Sequence, residues 1–389
     1  MSLPPTYRPV DDPRAEQAKI FDPALKQYAN AFRPADPSFA DPDLSAAWYA
    51  ARRRAMDLVL AAIAGSPWRE ALVLRGSVVL RAWYGEAARE PGDLDFVVVP
   101  REWGVTEPRT GAMLDGIAAA AEARSGDGIG FTAARAVTGE IWTYERVPGR
   151  RLVLPWAAEG LPGGAAQLDF VFNEPLPVPA EPVLVAPGAR LNAATRELSL
   201  AWKLLWLVTD SYPQGKDLYD AVLLAESAPL RYGVLRDAFL PGEAYYAEHP
   251  VRPETLTGLE PEVGRDWEYF EREYPKLATD PQSMLRRLAA ALAPTFAEVE
   301  PAAVDAWWRA GWVERVRELL ATEGSDAAQR WLAAADPSFR LAHELLREAL
   351  AEPDAPALAE RMPAGPWWEY WAGQVRKGAR TVQELIARG

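Results

Sequence analysis

Apolar positions along the chain follow two regimes, and the change between them predicts two parts. Up to about residue 187, short apolar runs alternate with helical stretches. A helix is predicted from Asp43 to Ala64, opened by an Asp/Ser capping signal and closed by Gly65-Ser66-Pro67. A short strand, Ala71-Leu72-Val73-Leu74, leads through Arg75-Gly76-Ser77 into an amphipathic helix from Val78 to Tyr84 that stops at Gly85. A second strand runs from Asp93 to Val99 and ends at Pro100. A helix over 110–124 and β-like runs at 131–136, 140–147 and 151–156 precede a further strand, Ala166 to Phe172. This mixture predicts an α+β (α/β) domain over residues 43–187. Residues 1–42, rich in Pro, Asp and Ala, predict an irregular N-terminal arm.

From Asn192 onward helical periodicity takes over. Helices are predicted at 193–209, 215–227, 263–274, 283–297, 301–321, 325–335, 337–351 and 367–387. Residues 188–389 are therefore expected to form an α-helical domain, entered through the prolines at 175–187. A length of 389 residues agrees with more than one core.

Composition narrows the chemistry. The chain has no cysteine and two histidines, His249 and His343. Disulfides, thiolate sites and a multi-histidine zinc centre are excluded, so a divalent metal must be held by carboxylates, which favours magnesium or manganese. No apolar run is long enough to span a bilayer and the N-terminus does not read as a secretory signal, so a cytoplasmic protein without a membrane partner is expected. The formal net charge of −13 opposes broad nucleic-acid binding, although it permits a local basic grip.

Three features carry candidate chemistry. Arg75-Gly76-Ser77, between a strand and a helix, suits a phosphate-binding turn, because glycine admits a close backbone approach and the helix start presents free amides. A plain turn with a cap has the same pattern. Asp93 and Asp95 lie two apart on an otherwise apolar strand, so their carboxylates share a face and repel unless a cation bridges them. Asp169 sits between Leu168 and Phe170 in another apolar strand, where an aspartate is out of place unless paired or metal-bound. Three carboxylates with a Gly-Ser turn are what metal-assisted phosphoryl or nucleotidyl transfer requires. Arg52-Arg53-Arg54 reads as a solvated helix face or an anion patch, and Trp307-Trp308 and Trp367-Trp368 as packing aromatics.

The combination resembles the DNA polymerase β-like nucleotidyltransferase superfamily, and within it the AbiEii/AbiGii toxin family. The resemblance rests on Arg75-Gly76-Ser77-Val78-Val79-Leu80, Arg89-Glu90-Pro91-Gly92, Asp93-Leu94-Asp95-Phe96, Lys203, and Lys216-Asp217-Leu218-Tyr219-Asp220. It covers roughly residues 70–227. The chain departs from the family pattern at Arg75, where a glycine is usual, at Pro91, and in a longer stretch between Ser77 and Asp93.

The resemblance implies a polymerase β-like mixed-sheet domain followed by an α-helical domain that completes the cleft. It also implies an enzyme that moves a nucleoside monophosphate from an NTP to an acceptor hydroxyl and releases pyrophosphate. Asp93, Asp95 and Asp169 would hold Mg²⁺ or Mn²⁺, with Asp169 as base. Gly76, Ser77, Lys203 and Lys216 would bind the triphosphate, and Asp217 would position Lys216, a hydroxyl or a water. Asp220 is expected to be dispensable for labelling of the acceptor. The acceptor implied first is tRNA, ahead of a protein or a small molecule, in a toxin–antitoxin or phage-defence system with a cognate antitoxin. The contrasting expectation is a binding protein that retains the fold without catalysis.

Overall fold

The computed structural model describes residues 3–143, 147–211, 213–277, 279–335 and 339–351. The helix predicted at 367–387 and the pair Trp367-Trp368 lie outside the described residues. The chain divides into two compact units, Met1–Ala228 with Leu259–Leu288, and Pro229–Gly258 with the chain from Ala289 onward.

The first unit begins with two small ribbons where the sequence predicts an irregular arm. Strand β1 (Ala15–Glu16) pairs with β4 (Ser38–Phe39), and β2 (Lys19–Phe21) with β3 (Phe32–Pro34). Their pairing is too short for a periodic signal and depends on contacts with the body of the unit. Helix α1 (Pro42–Ala64) follows, capped by Asp41, whose carboxylate accepts from the Asp43 and Leu44 amides.

An eight-stranded mixed sheet forms the centre. Its strands are β5 (Leu72–Arg75), β6 (Leu94–Val98), β7 (Ile129–Phe131), β8 (Val137–Thr143), β9 (Val147–Ala158), β10 (Gly164–Val171), β11 (Glu181–Ala186) and β12 (Ala189–Ala193). The order is β11-β12-β5-β6-β10-β9-β7, with β8 pairing on β9. β6 and β10 run parallel, while β5 and β9 flank them antiparallel. Helices α2 (Ser77–Tyr84) and α3 (Pro108–Ala123) connect the strands.

Alternation along the strands sorts the sheet into two faces. Leu94, Phe96 and Val98 of β6, with Leu168 and Phe170 of β10, join one core with Trp48, Ala55 and Val59 of α1 and Met113 and Ile117 of α3. Phe96 and Phe170 stack with ring centroids 5.4 Å apart. The intervening residues Asp95 and Asp169 therefore belong to the opposite face.

Two boundaries differ from those predicted. The sheet continues past the proline-rich stretch, because Pro182 lies on β11 at the sheet's edge, where a missing amide donor costs little. The helix predicted from residue 193 starts instead at Arg196, where the Thr195 hydroxyl accepts from the Leu198 amide at 3.1 Å. This helix, α4 (Arg196–Thr209), leads to α5 (Gly215–Ala225).

The second unit is helical, but it does not coincide with the helical domain expected over 188–389, because α4 and α5 fall in the first unit. It holds α6 (Tyr232–Phe239) and α7 (Pro253–Thr257), and later α10 (Ala293–Phe296), α11 (Val304–Thr322), α12 (Ser325–Ala334) and α13 (Phe339–Leu350). Helix α8 (Glu260–Glu273) and the start of α9 (Pro281–Ala291) belong to the first unit. Trp308 is fully buried in the second unit, beside Tyr232 and Phe239, and its indole donates to the Tyr246 carbonyl at 2.7 Å. That agrees with a packing role. His249 stacks on Tyr245, and His343 is buried in α13. Among the described residues no helix is long and apolar enough to cross a membrane.

Candidate active site

Four adjacent strands place charged residues side by side in one row. Arg75 of β5 is in register with Asp95 of β6, Asp95 with Asp169 of β10, and Asp169 with Arg151 of β9. Residues in register share a face, so two carboxylates sit at the centre of the row and a guanidinium ends it on each side. Asp93, two residues before Asp95, adds a third carboxylate. One oxygen from each of Asp93, Asp95 and Asp169 lies within 4.8 Å of the others.

The electrostatics of this cluster are unbalanced. Burial, then the neighbouring Asp93 and Asp169, push the Asp95 carboxyl up to about 7. Burial also pushes Asp93 up, but Lys216, Arg89, Arg33 and Arg151 outweigh it and hold that carboxyl below the usual range. Asp169 stays above the usual range because burial outweighs Arg151. Three carboxylates that repel one another, with hard oxygen donors and no nitrogen or sulfur among them, fit a divalent cation of the magnesium type.

Asp169 is already partly neutralised. Arg151 grips it with two parallel bonds, Nε to Oδ1 and Nη2 to Oδ2, both 2.7 Å. A third nitrogen, Nη1, reaches Asp22 of the N-terminal segment at 2.7 Å. Gln167 donates to Asp169 Oδ2 at 3.2 Å. A planar fork of this kind fixes the carboxylate's orientation as well as its charge.

The Gly76 turn is built around Asp95. Gly76 has φ +80°, and a Cβ there would lie 2.6 Å from Asp95 Oδ2. Only glycine meets both constraints. Gly76 caps the start of α2 and lines a cleft of about 140 Å³ with all three aspartates. Ser77, the first residue of α2, is buried, and its Oγ has no hydrogen-bond partner among the described residues. A buried hydroxyl without a partner costs free energy, but Ser77, unlike Gly76, does not line the cleft.

Arg75 explains why the usual glycine is absent here. Its guanidinium bonds Glu174 at 2.6 Å and lies 5.1 and 5.2 Å from the rings of Trp202 and Trp206 on α4. The side chain ties the sheet to α4 beside the cleft.

Lys203 and Asp217 meet, but in a closed arrangement. Lys203 Nζ donates to Asp217 Oδ1 at 2.6 Å and lies 3.0 Å from Asp220 Oδ2. Arg89 Nε reaches both oxygens of Asp220 at 3.1 Å. All four side chains are buried, and Asp220 is fully so. Asp220, expected only to be dispensable for labelling of the acceptor, joins the loop before Asp93 to α4 and α5. Lys203 and Asp217 still line the cleft.

Lys216 is different. It is half-buried, lines the same cleft, and makes no ion pair among the described residues. Its position depends on Gly215, where a Cβ would lie 2.9 Å from Phe270 Cβ; this lets α8 press against the start of α5.

Sequence reasoning missed Arg151, Asp22 and Arg33. Arg151 carries no spacing signal and is identified only by its register with Asp169. Asp22 and Arg33 come from the segment predicted as an irregular arm, yet both line the cleft. The run Arg52-Arg53-Arg54 splits, because helical periodicity turns successive residues by about 100°. Arg52 is buried and pairs with Asp36 at 2.9 Å, Arg53 pairs with Glu90 at 3.0 Å, and Arg54 is exposed.

Comparison with known proteins identifies the family. A family model described as "Nucleotidyl transferase AbiEii toxin, Type IV TA system" matches residues 58–334. No curated protein matches the chain. Among solved structures, the crystal structure of JHP933 from Helicobacter pylori is similar at 13% sequence identity and a TM-score of 0.37, over 71% of this chain and 98% of that one. The family match alone spans well over half of the 389 residues and includes every motif from Gly76 to Asp220. The chain belongs to the AbiEii family of nucleotidyltransferase toxins of type IV toxin–antitoxin systems.

Proposed function

We propose that this protein is a divalent-metal-dependent enzyme that transfers a nucleoside monophosphate from an NTP to the 3′ hydroxyl of a tRNA. The observation that carries the reading is the in-register cluster of Asp93, Asp95 and Asp169 beside the Gly76-Ser77 turn. Asp93 and Asp95 would hold Mg²⁺ or Mn²⁺, with Asp169 as third ligand; such an ion neutralises triphosphate charge and lowers the pKa of the attacking hydroxyl. Gly76 and the amides at the start of α2 receive the triphosphate. Lys216 supplies the unpaired positive charge.

The acceptor oxygen attacks the α-phosphorus, the bond from that phosphorus to the bridging oxygen breaks, and pyrophosphate leaves. The hydroxyl proton passes to a carboxylate oxygen of Asp169. Lys203 and Asp217 brace α4 against α5 and keep Lys216 at the cleft.

The tRNA assignment is supported by a local excess of cations over an acidic chain. Arg8, Arg33, Arg52, Arg89 and Lys216 line a second hollow with Asp36, Asp93 and Glu273, where Arg52 pairs with Asp36 and Arg89 with Asp220. A cognate antitoxin and a cytoplasmic setting accompany the toxin reading.

One observation favours a second reading. Arg151 occupies both oxygens of Asp169, as an internal cation would in a binding protein that had given up its metal.

Incubation with each radiolabelled NTP, Mg²⁺ or Mn²⁺, and total RNA or lysate separates these. Labelled tRNA, lost in Asp93→Ala, is expected. Labelled protein with unlabelled RNA overturns the acceptor, and no labelling under any condition, with no thermal shift from metal and NTP, establishes the second reading instead.

A further inference from the structure

A larger hollow, of about 480 Å³, opens beside the carboxylate cleft within the first unit. The two share Asp22, Pro23, Arg33, Gln214 and Lys216. The larger hollow falls in the range of about 300–1,000 Å³ typical of small-ligand sites.

Its walls differ from those of the cleft. Phe21 of β2 and Tyr269 of α8 both line it, 42% and 53% exposed. Single exposed aromatics are common, but two bordering one hollow beside a charged cleft suit a flat aromatic ligand. Arg272 lies 5.4 Å from the Tyr269 ring, which leaves that ring in a cation-supported platform. Glu262 and Glu273 add acceptors able to take amino or hydroxyl hydrogens.

The junction of the two hollows holds two cations and the carboxylate of Asp22, which Arg151 engages. Arg33 and Lys216 line both, and neither forms an ion pair among the described residues. Arg33 donates only to the neighbouring Pro34 carbonyl at 3.2 Å. A planar group with aromatic walls, joined to a phosphate at two unpaired cations, describes a nucleotide.

We infer that this hollow is a nucleobase subsite completed by the N-terminal ribbon, with Arg33 and Lys216 binding the phosphate attached to that base. The inference rests on the nucleotidyl-transfer reading above, and deepens it by assigning a role to residues 19–33, which precede the family match at 58–334. The base belongs either to the incoming NTP or to the last nucleotide of the acceptor. Both present the same chemistry.

The test uses the full chain with Mn²⁺, titrated calorimetrically with each NTP and with inorganic tripolyphosphate. Arg33→Ala is expected to weaken both kinds of ligand on the order of tenfold. Tyr269→Ala and Phe21→Ala should weaken NTP binding about tenfold and leave tripolyphosphate unchanged, as loss of one stacking partner requires. Tyr269→Phe should restore it. If the base is the acceptor's, NTP affinity stays at the wild-type value in Tyr269→Ala and the KM for RNA in the labelling assay rises by that factor instead. Both substitutions lie at exposed positions, and unchanged unfolding midpoints identify folded variants. Wild-type affinity and wild-type RNA KM in both aromatic variants overturn the subsite while nucleotidyl transfer stands. A wild-type chain that binds neither NTP nor tripolyphosphate and labels nothing overturns both.

Discussion

Two buried charge clusters border one cleft in this protein and reach opposite solutions. Around Asp220, two cations and two carboxylates neutralise one another: Lys203 and Arg89 face Asp217 and Asp220 within 2.6–3.1 Å. Around Asp95, three carboxylates converge; Arg151 hydrogen-bonds only Asp169 and Asp22, and Arg75, in register with Asp95, bonds Glu174 instead. Burying charge is costly unless it is paired. The first cluster meets that cost internally and acts as a brace. The second leaves it unmet, and the raised Asp95 carboxyl is the record of that deficit. A closed buried network argues for architecture, whereas an open one argues for a ligand.

The sharpest way to break this comparison is to remove one charge from each cluster. Asp95→Asn is expected to lower nucleotide labelling by about 10³-fold or more, in line with the loss of a charge that orders the transition state. Its unfolding free energy in metal-free buffer should stay level or rise, because a like-charge contact is gone. A metal-free variant less stable than wild type would show that the cluster is structural after all.

Asp220→Ala should do the reverse. It strands Lys203 and Arg89 with a single carboxylate, and a loss of about 3–5 kcal/mol in denaturant unfolding is expected. A loss under 1 kcal/mol would remove the brace from the account.

Metal should act on one cluster only. Saturating Mn²⁺ at about 100 times its Kd is expected to add about 2.7 kcal/mol to wild-type stability, read as a rise in melting temperature. Asp93→Ala should lose that increment, and Asp217→Asn should keep it. Equal increments in both variants would place the ion elsewhere.

The smallest expected effect belongs to a surface pair used as a reference. Arg287 and Glu226 lie 2.7 Å apart but are largely solvated, so Arg287→Ala should cost about 0.2–1 kcal/mol. A larger cost would mean that ion-pair count, not burial, governs these clusters.

Much of the site was legible because it follows local rules. Period-two alternation puts Asp93 and Asp95 on one face, and an aspartate between Leu168 and Phe170 is conspicuous in an apolar strand. Glycine at position 76 reads as a turn residue for the same reason it is one in space. Lys203 and Asp217 were legible as residues of the cleft, but their mutual bond was not, because it joins two helices whose packing no local pattern encodes.

The chain alone determined most of its element types and the motif order that marks the family. These depend on side-chain chemistry and on short-range backbone geometry, which travel with the sequence. Only the tertiary structure decided that β6 and β10 lie parallel with Asp95 against Asp169. It also decided that Arg151 grips that carboxylate, that the ribbon around Asp22 and Arg33 lines the cleft, and that Asp220 joins Arg89 to Lys203. These are contacts between residues far apart in sequence. Their energies depend on burial and register, and both exist only once the sheet has formed.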